Sequence, residues 1–75
     1  MEKYRKLLAK NVRARRVELG LSQEKLAFAT DLDRTYISGI ERSMRNPSLD
    51  VIAKIAVALD TSPSELLTPK KPTRR

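Results

Sequence analysis

The chain has 75 residues, no cysteine, no histidine and a net charge of +7. A chain of this length forms one domain with a marginal core, and without cysteine neither a disulfide nor a zinc-binding thiolate can reinforce it. Its apolar runs are only a few residues long, and its first 20 residues are charged at short intervals. This pattern excludes a membrane span and a secretory signal, and it favours a cytoplasmic protein.

The basic residues are concentrated at the two ends of the chain. Residues 1–16 hold seven Lys or Arg side chains against one acid, and residues 68–75 hold four against none. Between them, residues 17–67 hold five basic and eight acidic side chains. A basic excess favours a polyanionic partner, either nucleic acid or an anionic membrane, although a merely solvated surface would show the same charge.

Two helices are predicted in the first 30 residues. The first runs from Lys3 to Leu19, because its apolar residues keep helical spacing and Gly20 follows as a C-terminal stop. Ser22 is a good N-cap for the second helix, which we expect to end at residue 29 or 30, before a short break at residues 30–32.

The third predicted helix runs from Arg34 to Arg42, with Asp33 as its N-cap. Ile37 and Ile40 form an inward-facing pair three residues apart. Gly39 lies inside this helix and costs about 1 kcal/mol in helix propensity relative to alanine. That cost indicates a position where another group must approach closely.

Two further helices follow a loop at residues 43–47. Ser48 is the N-cap candidate of the fourth helix, which covers residues 49–59. The sequence Ser62-Pro63-Ser64-Glu65 is a capping box that starts a short fifth helix. The folded domain is therefore expected to cover residues 1–67. Two prolines and four basic residues in 68–75 predict a disordered basic tail.

The second and third helices, joined by a turn of a few residues, match the pattern of a helix-turn-helix. Ala27 is small enough to let these two helices cross closely. With the two isoleucines of the third helix facing the core, the residues expected to face away from it are Arg34, Thr35, Ser38 and Gly39. They combine a bidentate donor with short hydroxyls, as a helix that reads base edges requires. An ordinary polar surface helix would show the same periodicity.

A resemblance to a known family is carried by two stretches, GLSQEKLA at residues 20–27 and ISGIER at residues 37–42. The chain resembles the lambda-repressor/Cro-like (XRE) helix-turn-helix family over about residues 8–67. The resemblance implies an all-α fold, a compact five-helix DNA-binding domain. Within that family, residues 32–42 followed by Arg45 and Asn46 look most like the controller proteins of restriction–modification systems.

The resemblance also implies roles for particular side chains. Base reading is assigned to Arg34, Thr35 and Ser38. Contacts with the DNA backbone or the groove edge are assigned to Gln23, Tyr36, Arg45 and Asn46. Arg16 and Glu41 correspond to a buried ion pair that ties the first helix to the end of the third.

The chain departs from the family pattern at three places. Asp31 replaces the usual glycine of the turn, which aspartate can do because it tolerates a left-handed backbone. Arg15 replaces a usual leucine, so either its stem packs along the core edge with its head in solvent or the helix is slightly rotated. The recognition face lacks the glutamines of the phage repressors, so their operator sequences cannot be carried over.

The fourth and fifth helices carry more apolar side chains than one narrow stripe can hide, and the resemblance places dimer contacts there. We therefore expect a symmetric homodimer. The expected interface residues are Leu49, Ile52, Ile55, Leu59, Leu66 and Leu67. Such a dimer sets two recognition helices about 34 Å apart and reads a pseudo-palindromic operator in double-stranded DNA.

Other functional classes find less support in the sequence. Ser22, Ser48 and Ser62 are caps with no histidine or cysteine to activate them, and no catalytic residue, metal site, cofactor or small-molecule ligand is predicted. Tyr4 and Phe28 are expected to pack in the core or at its edge rather than to stack on bases. The alternatives to a sequence-specific transcriptional regulator are an antitoxin-type protein-interaction module and a non-specific architectural DNA binder.

Overall fold

The predicted helices recur, within one or two residues, in a computed structural model that describes residues 2–70. The elements are α1 (Glu2–Glu18), α2 (Gln23–Thr30), α3 (Arg34–Glu41), α4 (Leu49–Ala58) and α5 (Pro63–Leu66). The prediction of an all-α, five-helix fold is confirmed, since the described range contains helices and connecting segments alone. Most of the predicted basic tail, residues 71–75, lies outside the described residues.

Helices α2 to α5 begin directly after the N-cap residues that the sequence predicts. The Oγ atoms of Ser22, Ser48 and Ser62 each accept the backbone N–H three residues on, and the carboxylate of Asp33 accepts that of Thr35. Each such cap stabilises its helix by about 1 kcal/mol. Three of these four caps are serines, so the starts of α2, α4 and α5 are set by the same local chemistry.

One core is shared by all five helices. Its buried members are Leu8, Val12, Leu26, Ala27, Ile37, Ile40, Ile52, Ile55, Ala56, Leu59 and Leu66. Every helix contributes at least one of them, and the short α5 contributes Leu66. The third helix is therefore fixed by its inward face, while Arg34 and Thr35 on its other side are exposed.

Four residues predicted at the dimer interface lie instead in the core of the single chain. Ile52 is 8% exposed, Ile55 and Leu59 are fully buried, and Leu66 is 2% exposed. They are hidden because α4 and α5 close against α1 and α2, so these side chains are not available to a second copy. Of the predicted set, Leu49 is exposed and Leu67 is half-buried.

Of the two aromatic residues expected in the core or at its edge, Tyr4 lines a cleft at the core edge with Leu8 and Ile52, whereas Phe28 packs in neither place. Phe28 is 91% exposed on the outer face of α2, so the expectation that it joins the core is wrong. Tyr4 is about half exposed, and the Lys3 ammonium lies 5.8 Å from the centre of its ring. Leu19 is also exposed, because α1 ends at Glu18 before that residue can turn inward.

Arg15 places its guanidinium at the end of α4. Its Nε donates to the Leu59 carbonyl at 2.8 Å and its Nη2 to the Asp60 carbonyl at 3.1 Å. The last carbonyls of a helix have no partners within the helix, so the guanidinium satisfies groups at the end of α4 that would otherwise need water. Arg15 thus joins α1 to α4 by hydrogen bonds where the family usually has an apolar contact.

Asn11 joins α1 to the C-terminal end of the described chain. Its side chain is buried, and its Nδ2 donates to the carbonyls of Leu66 at 2.8 Å and Thr68 at 3.0 Å. The carbonyl of Thr68, predicted as the first residue of the tail, is therefore bound to the helical domain. Lys70 forms an exposed ion pair with Glu65.

A buried ion pair connects α1 to the end of α3. The Nε of Arg16 lies 2.7 Å from Oε2 of Glu41, and its Nη2 lies 3.0 Å from Oε1, in a bidentate arrangement. Their side chains are 12% and 3% exposed. The hydrogen bonds to Glu41 raise the pKa of Arg16. The remaining donor of Arg16, Nη1, bonds the Leu21 carbonyl at 2.7 Å, so the pair also holds the segment that precedes α2.

Replacing Glu41 with alanine should cost on the order of 3–5 kcal/mol of unfolding free energy, because it leaves the Arg16 guanidinium buried without its counter-charge. Urea denaturation followed by circular dichroism measures this cost. The matched control is Glu65→Ala, which breaks an exposed ion pair and should cost less than about 1 kcal/mol. Equal losses in the two variants would show that the buried pair contributes no more than a surface pair.

Candidate nucleic-acid interface

The turn between α2 and α3 is closed by backbone hydrogen bonds. Asp31 adopts the left-handed conformation, with φ 59° and ψ 32°, so the substitution of the usual glycine leaves the turn intact. The N–H of Leu32 donates to the Ala27 carbonyl at 3.0 Å, which folds the chain back over the end of α2. The chain then enters α3 after only three residues, and this short connection fixes the angle at which α3 leaves the core.

The outer face of α3 carries the residues predicted to read bases. Arg34 and Thr35 are exposed in the first turn, and Ser38 is half-buried one turn later. They lie opposite the buried Ile37 and Ile40. In the described part of the chain the Arg34 side chain has no ion-pair partner, so its donors remain available to an external acceptor.

Asp33 is a further member of this face that the sequence analysis treated only as a cap. The Thr35 hydroxyl donates to its carboxylate, and the Thr35 N–H donates to the same oxygen at 3.1 Å. These hydrogen bonds, that of the hydroxyl first, lower the pKa of Asp33. With its hydroxyl proton directed at Asp33, Thr35 has its methyl group and its oxygen lone pairs available to an external partner. The sequence signal for this pair is the spacing of two residues between an N-cap carboxylate and a hydroxyl.

The loop after α3 folds back across the helix. Ser43 has a positive φ of 62°, and the N–H of Met44 donates to the Gly39 carbonyl at 2.7 Å. The side chain of Arg45 consequently crosses Gly39, where an added Cβ would lie only 2.8 Å from the Arg45 Cγ. Gly39 is therefore buried rather than outward-facing as predicted, and the group that approaches it is a side chain of the same molecule.

Arg45 is held beside the base-reading residues by this crossing and by an aromatic contact. Its guanidinium carbon lies 5.5 Å from the centre of the Tyr36 ring, a cation–π distance. Stacking on Tyr36 and packing over Gly39 restrict a long side chain that would otherwise move freely. The exposed guanidinium is therefore pre-positioned next to the outer face of α3.

Gln23 and Asn46 occupy opposite edges of the site. Gln23 is the first residue of α2, and its Nε2 donates to Oε1 of Glu41 at 3.1 Å. It thus supports the end of α3 through the buried ion pair. Asn46 is exposed in the loop after Arg45 and lines a cleft with Tyr4 and Leu67. The structure brings Tyr36 and Arg45 into contact, whereas Asn46 stands apart.

Residues 2–70 contain neither a candidate metal site nor a candidate membrane-spanning helix. Within this range, no group of three or more Asp, Glu, His or Cys side chains is placed to hold a metal ion. None of the described helices is both long enough and apolar enough to cross a membrane. The candidate site is therefore the set of exposed polar groups on α3 and on the loop that follows it.

Comparisons with known proteins agree with this geometry. Residues 12–66 match the helix-turn-helix family model. The chain is 64% identical over 47 residues to the control protein C.BamHI of Bacillus amyloliquefaciens. This match covers 63% of this chain and 58% of that protein. The structure of the restriction–modification controller protein C.AhdI from Aeromonas hydrophila matches with a TM-score of 0.80 and 48% identity, over 83% of this chain and 94% of that one.

A further structural match is the restriction–modification controller protein C.Esp1396I, described as a tetramer in complex with its natural 35-base-pair operator. It matches with a TM-score of 0.75 and 34% identity, over 87% of this chain and 96% of that one. The chain spans only 58% and 61% of the length of two of its curated relatives. Because the family model covers well over half of the sequence, the chain belongs to the helix-turn-helix family of DNA-binding transcriptional regulators, and it is similar to the controller proteins of restriction–modification systems.

Proposed function

We propose that this chain is a sequence-specific transcriptional regulator that binds a pseudo-palindromic DNA operator as a homodimer, as a restriction–modification controller protein or a similar small regulator. The observation that carries the proposal is the exposed first turn of α3, where Arg34 and Thr35 are neighbours and Arg34 has no ion-pair partner within residues 2–70. Arg45 is anchored on Tyr36 of the same helix. The similarity to a controller protein described in complex with its operator supports the same function.

Arg34 is proposed to supply most of the base discrimination. It lies at the helix end that enters the major groove in this motif, and its guanidinium can bond both acceptors on a guanine edge. No other base pair presents two acceptors in that arrangement. Thr35, whose hydroxyl proton is directed at Asp33, is proposed to contact a base edge through its methyl group or its oxygen.

Arg45 is proposed to bind phosphate. It lies outside the helix, in a loop that would cross the sugar–phosphate chain, and its position on Tyr36 and over Gly39 keeps its charge close to α3. A charge that contacts phosphate acts on every sequence alike, so it contributes affinity and register rather than discrimination. Gln23 and Asn46 are proposed to add contacts to the same backbone.

Dimerisation is proposed at the N-terminal end of α4, because the core has taken most of the residues first expected there. Leu49 is 70% exposed, and it lies one turn from Ile52, which lines a cleft with Leu67 and Asn46. A contact between two copies at this place would lie next to the loop that carries Arg45. It would therefore bring two recognition helices towards the same face of a DNA duplex.

Arg34→Ala and Arg45→Ala should affect DNA binding in different ways, the first through sequence preference and the second through overall affinity. On a site selected from random DNA, Arg34→Ala should cost about 1–3 kcal/mol per half-site and relax the preference at one base pair. Arg45→Ala should weaken binding to all sequences alike and reduce the salt slope by about one unit per half-site. Titrations on matched and mismatched duplexes at several salt concentrations measure both effects. An unchanged preference in Arg34→Ala would assign base reading to another residue.

Gly39→Ala should weaken DNA binding without unfolding the domain. The added Cβ displaces the Arg45 side chain, whereas alanine improves helix propensity by about 1 kcal/mol. Binding titrations and thermal melts of Gly39→Ala, Arg45→Ala and the double variant form a double-mutant cycle. If glycine acts by making room for Arg45, the double variant binds no more weakly than Arg45→Ala alone. Additive losses would mean that Gly39 acts by another route.

Leu49→Asp should convert the dimer to a monomer while leaving the fold intact. The side chain is exposed, and a carboxylate is favourable in the first turn of a helix. Sedimentation should change from twice the chain mass of 8.5 kDa to that mass itself. The control is Val57→Lys, which is 79% exposed and lies about 12 Å farther along α4. A wild-type chain that sediments as a monomer with and without DNA would contradict the dimer.

A further inference from the structure

A basic groove runs along α1, beside the buried Ala9 and next to the end of α3. Three cations line it, Lys6, Lys10 and Arg13, at spacings of four and three residues that place them on one side of the helix. The groove has a volume of about 590 Å³ and ends against Glu41 and Ser43. All three cations are exposed.

These cations are not neutralised by the acids around them. Within residues 2–70, no carboxylate lies within 4.0 Å of Lys6, Lys10 or Arg13. The acids that α1 itself contributes are paired elsewhere, Glu2 with Arg5 and Glu18 with Arg15.

The single acid that lines the groove, Glu41, is fully occupied. Both of its oxygens accept from Arg16, and one also accepts from Gln23. Like charges at this spacing on a helix repel one another, so the row of cations weakens α1 rather than stabilising it. Within residues 2–70 the row therefore forms no ion pair, and its interaction with an acid of α1 is the longer-range effect of Lys6, which after Arg5 lowers the pKa of Glu2.

The groove is continuous with the surface that we propose binds DNA. At one border, Glu41 is hydrogen-bonded to Gln23, the first residue of α2. At the other border, Ser43 lies two residues before Arg45 in the loop that folds over α3. Both borders lie at the C-terminal end of α3, so the basic row adjoins that end of the recognition helix.

We propose that the α1 groove is a second DNA-backbone site, which holds phosphates next to the stretch of duplex read by α3. The proposal rests on the proposed function. The row from Lys6 to Arg13 spans about 10 Å along the helix axis. Successive phosphates of one strand rise about 3.4 Å along the duplex axis, so the row is long enough to contact more than one phosphate of a strand. The site reads charge and spacing, and it adds affinity for any sequence.

A charge-matched pair of triple variants tests the proposal. The test variant is K6Q/K10Q/R13Q, and the control is K25Q/K54Q/K70Q, whose exposed cations lie on α2, on α4 and after α5. Each lowers the net charge of +7 by three, and glutamine keeps helix propensity close to that of lysine and arginine. The probes are a duplex that carries a site selected from random DNA with about one helical turn of flanking sequence on each side, and an unrelated duplex of the same length.

The test variant should bind both duplexes more weakly by the same factor. Its salt slope should be shallower than that of the wild type by about 0.9 for each phosphate contact removed. The control should lose less affinity and keep a steeper slope. Equal losses in the two variants would overturn the proposal in favour of a general effect of net charge. If the test variant bound both duplexes as tightly as the wild type, the proposed α1 site would also be overturned, and an acidic protein surface would become the candidate partner of the groove. The proposed function would not be affected by that result. A wild-type chain that binds neither duplex would overturn the proposed function itself.

A position-specific readout uses the absence of cysteine from the chain. Lys10→Cys provides a single thiol for an attached iron chelate that cleaves nearby DNA. On the selected duplex, cleavage should fall on the backbone beside the bases protected by α3, at symmetric places in the two half-sites. A chelate at Lys54→Cys, on the exposed side of α4, is the control. Absence of cleavage from Lys10→Cys on a duplex that the labelled protein still binds would contradict the site.

Discussion

The buried contact between Arg16 and Glu41 is the interaction on which the arrangement of this small domain depends. Arg16 belongs to α1, Glu41 ends α3, and Gln23 adds the start of α2 to the same carboxylate. Three helices therefore meet at one hydrogen-bonded group. A buried carboxylate is tolerable only when its lone pairs are satisfied, so the three partners are constrained together. This constraint sets the end of the recognition helix relative to the core.

The hydrogen bonds among Arg16, Glu41 and Gln23 also help to position the residues that we propose contact DNA. Gln23 stands at an edge of the site and Arg45 stands near the other, and α3 is held between them by its buried isoleucines. The face that carries Arg34 is positioned by groups that do not themselves read bases. A shift of the end of α3 would therefore move the base-reading and the backbone-contacting residues together. A domain of 75 residues has no separate scaffold on which to build such a site.

The surface of the chain divides into regions of different chemistry. The exposed face of α3 and the loop after it are polar and basic, and the groove along α1 continues the positive charge. The start of α4 is apolar at Leu49, and the outer face of α2 is apolar at Phe28.

The sequence by itself determined the five helices, their caps, the turn at Asp31 and the family. These features depend on residues close together in the chain: a serine three positions before the N–H that it caps, or an aspartate that tolerates a positive φ. The resemblance further supplied the pairing of Arg16 with Glu41 and the candidate residues on α3. The apolar spacing of α3 also indicated which of its residues would face outward, with the exception of Gly39.

Only the tertiary structure decided which apolar side chains of α4 and α5 are left for a partner, and where the long side chains lie. Periodicity identifies an apolar face but not the neighbour that covers it, so Ile55 and Leu59 could not be distinguished from interface residues. Arg15 and Arg45 have flexible side chains whose positions depend on carbonyls, an aromatic ring and a glycine from other segments. Burial and side-chain placement depend on contacts between distant segments, and these are settled only when the helices pack.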